Sequence, residues 1–412
     1  MKANKYLIVL VPLMLLVVVS ACNKLLPGAP DSEDVIAEPI DGLSSDQLAK
    51  HLVGDALFAK VYTPEEGLGP IFIQTACEGC HIGDGKGHPI NMETRFGKWV
   101  GSTFDYMEDK GGAQMQQRSI AGFTPESLPS GYTHKTQRLA PVVTGMGLLA
   151  AVHDSTILNL TDSLDANGDG ISGRVAFLSP KSYTEFDGNI HTLNPSGKYV
   201  GRYGKKAKEI TIQDQIVFAL KEDMGISSDF DVEDLVNPQS GNESGDNVPD
   251  PEVGASVVRS LVFYLRTLKA PTRRDLDDAD VIEGEQLFAI VGCVKCHVPS
   301  LKTSLSDISL LSNVEIHPFT DLLLHDMGPL LDDGFPEGDA RSAEWRTPPL
   351  WGLGLASESQ GNVAYYLHDG RATSIREVVG FHLGGEANGP ATSFLALSEA
   401  EQDQIIAFLN SL

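Results

Sequence analysis

The stretch Gly284-Glu-Gln-Leu-Phe-Ala-Ile-Val-Gly-Cys293-Val-Lys-Cys296-His297 decides how the chain is read. It ends in Cys-x-x-Cys-His, the attachment signal of a c-type haem. The two thiols add to the two vinyl groups of one porphyrin, and the adjacent His supplies the proximal nitrogen to iron. An earlier stretch repeats the pattern, with Gly54-Asp-Ala-Leu57-Phe58 followed by Cys77-Glu-Gly-Cys80-His81. Two Cys-x-x-Cys pairs can also share a zinc ion, close two disulfides or act as a thiol redox pair. The His directly after each pair favours haem, since the chain has only 11 His in 412 residues. The separation of the pairs, far longer than a zinc-ribbon spacing, argues the same way. The chain is therefore expected to carry two covalently attached haem c groups. Cys77, Cys80 and His81 would hold haem 1, and Cys293, Cys296 and His297 would hold haem 2.

The N-terminus reads as an export signal. Met1–Lys5 is a short basic head, and Tyr6 to Val19 is an apolar run too short to span a bilayer comfortably. It ends in Val19-Ser-Ala-Cys22, which resembles a bacterial lipobox and implies cleavage before Cys22 and lipidation of its thiol. An ordinary secretory signal followed by a free thiol is the alternative. Asn23 follows rather than Asp, so lipoprotein sorting would place the anchor in the outer membrane, on the periplasmic side. No later segment is long and apolar enough to span a membrane. Of five cysteines, one takes lipid and four take haem, so none is left for a disulfide or a thiol nucleophile.

Net charge is −25, which argues against nucleic acid as a partner. Such acidity keeps a surface solvated and can steer a basic redox partner. Aromatics are only 7%, while Gly and Pro number 41 and 23. That composition suits helices joined by long ordered loops.

Residues 23–43 read as a Pro-, Gly- and acid-rich tether. Ser44-x-x-Gln47 is a capping-box pattern that opens a helical stripe through Leu48, Leu52, Leu57 and Phe58. Residues 90–135 show weak periodicity and read as loop. Asp165-Ala-Asn167-Gly-Asp169-Gly170-Ile171 resembles the first half of a calcium loop, with oxygens from Asp165, Asn167 and Asp169 and the Ile171 carbonyl. Ala176 stands where the closing bidentate Glu is needed, so this is no EF-hand; a plain Asx/Gly turn is the alternative. Helices are expected at Thr211–Lys221, at Val253–Leu268 and after the capping box Ser398-x-x-Glu401. Arg138 and Arg346 read as contacts to haem propionates or as pins for their loops.

The two halves repeat in order. Gly54-x-x-Leu-Phe matches Gly284-x-x-Leu-Phe, and the haem motifs match. Arg138-x-x-Pro-x-x-x-Gly-Met-Gly-Leu matches Arg346-x-x-Pro-x-x-Gly352-Leu-Gly354-Leu. Shared order points to tandem duplication. The expected fold is mainly α, two tandem cytochrome c-like haem domains with long loops. Its parts are a lipoprotein signal (1–22), the tether (23–43), an N-terminal haem domain (44–270) carrying the calcium-like loop, and a C-terminal haem domain (281–412).

The second half, with Trp345-Arg-Thr-Pro-Pro-Leu-Trp351 and Tyr366-Leu-His368-Asp-Gly-Arg371, resembles bacterial di-haem cytochrome c peroxidases and MauG-type enzymes. Asp321-Leu-Leu-Leu-His325-Asp-Met-Gly328, Gly384-Gly-Glu386 and the Asp165 loop are more similar to their relatives, the di-haem oxidoreductases often labelled thiol oxidoreductases. The resemblance implies a peroxidase-like enzyme that takes electrons at haem 2 from a periplasmic redox protein such as a donor cytochrome. It would react at haem 1 with peroxide or with a protein substrate. Where those peroxidases cap the C-terminal haem with Met, this chain has His382, so His297 and His382 become the ligand pair of haem 2. His368 matches a His that does not bind iron and is assigned to a propionate, and His325 is the alternative sixth ligand. The distal His of the peroxidases falls on Gly97, and His88, Met92 and His134 are poor substitutes, which leaves the haem 1 iron open. Gln213 or Gln215, with Asp223, occupies the place of the peroxidase distal Gln and Glu, so Asp223 is the candidate general acid–base. None of Trp99, Trp345 and Trp351 stands in the segment where the peroxidases place a Trp between their haems. A pure electron carrier with both irons capped is the alternative function.

Overall fold

Ser44 accepts from the Gln47 amide while the Gln47 side chain accepts from the Ser44 amide, so the expected capping box opens helix α1 (Ser45–Phe58). The computed structural model describes residues 36–412, apart from 187, 189, 242–244 and 247. The signal segment, Cys22 and most of the tether lie outside the described residues. Five further helices frame the structure: α2 (Ile212–Met224), α3 (Ala255–Thr267), α4 (Ala279–Ile290), α5 (Ile375–Phe381) and α6 (Glu399–Ser411). Thr211 caps α2, Ser374 caps α5, and Ser398 with Glu401 forms the capping box of α6.

The duplication is visible in the packing. A Cβ on Gly54 would lie 2.4 Å from the Ser260 carbonyl, so only glycine lets α1 cross α3 this closely. Gly284 does the same where α4 meets α6, its Cβ position 1.9 Å from the Gln404 carbonyl. Behind each crossing stands an aromatic that reaches the haem-motif histidine. The Phe58 ring is 5.9 Å from His81 and 5.5 Å from Tyr264, and the Phe288 ring is 6.2 Å from His297 and 5.3 Å from Phe408. The third repeated element closes onto the end of each last helix. Gly145 donates to the Leu268 carbonyl and Gly352 to the Leu412 carbonyl. One apolar core gathers around α1, α2 and α3, a second around α4, α5 and α6. A third mixes the halves, joining Leu149, Val175 and Val200 to Leu301, Leu323 and Trp351. Residues 36–412 form one unit by their contacts.

The mainly α expectation is corrected: 32% of the chain is helical and 13% is strand. The stretch read as loop supplies most of a four-stranded sheet: β1 (Glu93–Val100), β2 (Thr103–Asp105), β3 (Gln114–Met115) and β4 (His134–Arg138). β1 is antiparallel to the other three. The alternation that marks a half-buried strand is missing from β1, because Thr94, Arg95, Phe96 and Gly97 are all buried in succession. Arg95 is buried because an acidic residue of the other half meets it: its Nη1 is 2.6 Å from Glu337. The second half holds a smaller pair, β5 (Leu324–Asp326) and β6 (Glu344–Arg346). No helix among the described residues is long and apolar enough to cross a membrane.

Candidate functional site

Each Cys-x-x-Cys-His motif folds into the same single turn. The amide of His81 donates to the Cys77 carbonyl and that of His297 to the Cys293 carbonyl, both at 3.0 Å. The four thiols are free of disulfides. His81 Nδ1 donates to the Pro141 carbonyl at 2.8 Å and His297 Nδ1 to the Phe319 carbonyl at 3.1 Å. A carbonyl can only accept, so each ring carries its proton on Nδ1 and keeps the Nε2 lone pair, the form an iron ligand needs. Burial pushes the pKa of each ring down to about 4, so both are neutral.

Both motifs line one cavity of about 510 Å³. Its walls are largely apolar, with Phe58, Leu261 and Leu265 near the first motif and Phe288, Phe394 and Ile405 near the second. His382, at the end of α5, also lines it, with Nδ1 on the Val378 carbonyl at 2.7 Å. Both rings face the same cavity, and after burial His382 is the largest influence lowering the His297 pKa. The second motif therefore has two neutral imidazoles, each with Nε2 unclaimed by the backbone. His325 is held otherwise: Nε2 is 2.9 Å from Asp321 and Nδ1 2.8 Å from Glu386. Those carboxylates and the Cys296 sulfur overcome burial and raise its pKa to about 12, so it is an imidazolium with no lone pair to give. His368 stacks on Trp345 at 4.1 Å, and Trp345 and Trp351 both line the cavity. Trp99 is on the surface.

The first motif is surrounded differently. His88 and His134 do not line the cavity; His88 accepts from the Ile90 amide and His134 contacts Thr133. Met92 is also outside the lining, whereas Met146 and Met224 line the cavity and pack with the apolar core around Phe58. His81 is the one histidine of this half, among the described residues, that faces the cavity. Around it stand Glu93, Arg95, Lys208, Gln215 and Asp223. Two helical turns separate Gln215 from Asp223, which puts both on the inner face of α2. Gln213 faces away and donates to the Tyr183 carbonyl. Asp223 accepts from Gln114 Nε2 at 2.5 Å. Burial, with Glu93 nearby, lifts its pKa to about 7. Glu93, Arg95, Gln114 and Lys208 were not legible as site residues, because the strand pairing that assembles them was not.

Arg138 is consumed by the protein, its guanidinium held by Asp333 and Glu337. It pins the end of β4 to the second half, and it also lines the cavity. Arg346 donates to the carbonyls of Gly204 and Thr347 and pairs with no carboxylate among the described residues. In the Asp165 loop, Asp165 accepts from the Gly170 amide, Asn167 from Asp169 and Asp169 from Ile171. These are Asx-type turns. Asp169 also pairs at 3.0 Å with Lys295, inside the second haem motif. The Ile171 side chain is buried.

These features fit a haem pair: paired free thiols, imidazoles of the right tautomer, apolar walls, and buried cations suited to propionates. The family model described as "Di-haem oxidoreductase, putative peroxidase" matches residues 25–99 and 132–412. The chain belongs to the di-haem oxidoreductase family. It is a di-haem redox protein of this family, as its motifs led one to expect. No curated protein matches the chain. Among solved structures it is similar to hydrazine synthase of Kuenenia stuttgartiensis, with 13% identity, 94% of each chain covered and a TM-score of 0.38. A MauG-like protein associated with microbial copper homeostasis has 16% identity, 94% of each chain covered and a TM-score of 0.41.

Proposed function

We propose that this di-haem oxidoreductase carries two thioether-linked haems with unlike roles, and that it reduces peroxide at the first. The observation that carries the reading is the asymmetry of the two motifs. His382 and His297 line the cavity in the second half, whereas acidic, basic and amide side chains line it with His81 in the first half, with no second histidine of that half among the described residues. His297 and His382 cap the second haem, which accepts electrons from a donor. When bound, the haems supply the redox chemistry: two electrons to a peroxide that also takes up two protons and leaves as two waters.

The chain supplies the proton handling. A carboxyl with a pKa near 7 is poised to accept a proton from one peroxide oxygen and return it to the other. Gln114 orients that carboxyl, and Arg95 and Lys208 offset negative charge in the pocket. Gln215 Oε1 is buried without a hydrogen-bond partner and lines the same space, where it can accept from a bound peroxide. The donor is a redox protein with a basic face, matched to a surface of net charge −25. Lipidation at Cys22 and an outer-membrane, periplasm-facing site belong to the same proposal and rest on the signal sequence.

Peroxide titration of the half-reduced protein tests this. The wild type consumes peroxide, Asp223→Ala does so far more slowly, and His382→Ala alters the spectrum of the second haem. A protein with no high-spin haem in any redox state and no reaction with peroxide is an electron carrier, and the enzyme reading fails.

A further inference from the structure

The segment Gly201–Lys208 turns four basic side chains inward, and three of them are neutralised by the protein. Arg202 pairs with Asp154 and donates to the carbonyls of Leu149 and Ala150. Lys206 donates to the carbonyls of Arg341, Ser342 and Glu344 and lies 3.5 Å from Asp333. Lys208 lies 3.3 Å from Glu337. The Lys205 ammonium alone has no hydrogen-bond or carboxylate partner among the described residues. It is half-buried and lines the cavity.

Its surroundings make this more pointed. The two carboxylates that act on it, Glu93 and Asp369, are already held by Arg95 and Arg371. Its other charged neighbours are Arg138 and Arg346, and it acts in turn on Lys86 and on the rings of His81 and His368. A half-buried, unpaired ammonium among further cations is unfavourable unless an anion joins it. Burial pulls its pKa down to about 8, which an adjoining anion reverses. The neighbours come from both halves, so the anion site lies at the seam between them.

We propose that Lys205 binds a propionate carboxylate of the haem held by His81, and that its charge raises the midpoint potential of that haem. This rests on the reading of the cavity as a haem site. A fixed positive charge in a half-buried, poorly screened place stabilises the reduced iron, which carries one positive charge fewer.

The test uses the full-length, haem-loaded protein and Lys205→Met. Pyridine haemochrome counts the covalent haems, spectroelectrochemical titration gives the two midpoints, and resonance Raman reports the propionate bending bands. Lys205→Met is expected to keep two haems while the midpoint of the His81 haem falls and its propionate band shifts. Lys205→Arg is expected to restore the midpoint towards the wild-type value. Two haems with both midpoints and the propionate bands unchanged in Lys205→Met would overturn the proposal. If Lys205→Met does not mature, Lys205→Arg is compared with the wild type. A shifted propionate band, from a guanidinium replacing an ammonium, supports the contact, and an unchanged band overturns it. A wild-type protein without covalent haem overturns the cavity reading itself, a different failure from an unchanged midpoint.

Discussion

Asp223→Asn is the most informative single substitution in the first site. The amide keeps the size of the carboxyl and can still meet Gln114, but it cannot move a proton. General acid–base catalysis by one side chain contributes about 10²- to 10⁴-fold, so kcat/KM for peroxide should fall by roughly that factor. The pH profile gives a second readout. Burial first, then Glu93, raises the Asp223 pKa from 3.8 to about 7, while Gln114 pulls the other way. The group must begin deprotonated to accept the first proton. The wild-type rate should therefore rise with pH through about 7 and level off above it. In Asp223→Asn that limb should vanish while both haem spectra stay as they were. Stopped-flow peroxide consumption across pH 5.5–8.5, roughly a unit and a half either side of that pKa, measures both quantities. A variant within a few-fold of wild type, or one that keeps the limb near 7, would refute the role of Asp223.

The repeated helix crossings predict stability losses. Gly284→Ala puts a Cβ 1.9 Å from the Gln404 carbonyl, and Gly54→Ala puts one 2.4 Å from that of Ser260. Overpacking of this kind costs about 1–3 kcal/mol, so calorimetry should show each Tm lowered by several degrees, with Gly284→Ala the worse. His325→Ala removes a buried cation from between Asp321 and Glu386, a loss of about 3–5 kcal/mol that thermal unfolding would show. Its second haem should remain low-spin; a change to high-spin would make His325, not His382, the ligand.

How much of this was legible depended on sequence distance. The haem motifs, the caps at Ser44, Thr211 and Ser398, and the repeated glycines are local signals, and each sits where its pattern put it. The family followed from the same motifs. Asp223 and Gln215 reach the cavity because they share a helical face. Gln213 does not, since it lies on the opposite side of α2. The four-stranded sheet escaped notice because its central strand buries Arg95 against Glu337, 242 residues away. A charged residue inside a strand reads as exposed until its partner is known. The same partner, with Asp333, pairs with Arg138, which pins the loop as well as lining the cavity. What the sequence left obscure is thus the electrostatic pairing between the halves, and that pairing leaves Lys205 over.

The central claim is that two covalent haems sit in unlike sites. Low-temperature EPR of the oxidised protein, alongside a haemochrome count, tests it most directly. Two haems per chain, one high-spin and one low-spin, with the low-spin signal converted in His382→Ala, is the predicted result. Two low-spin signals in the wild type, or a low-spin signal untouched in His382→Ala, would contradict it.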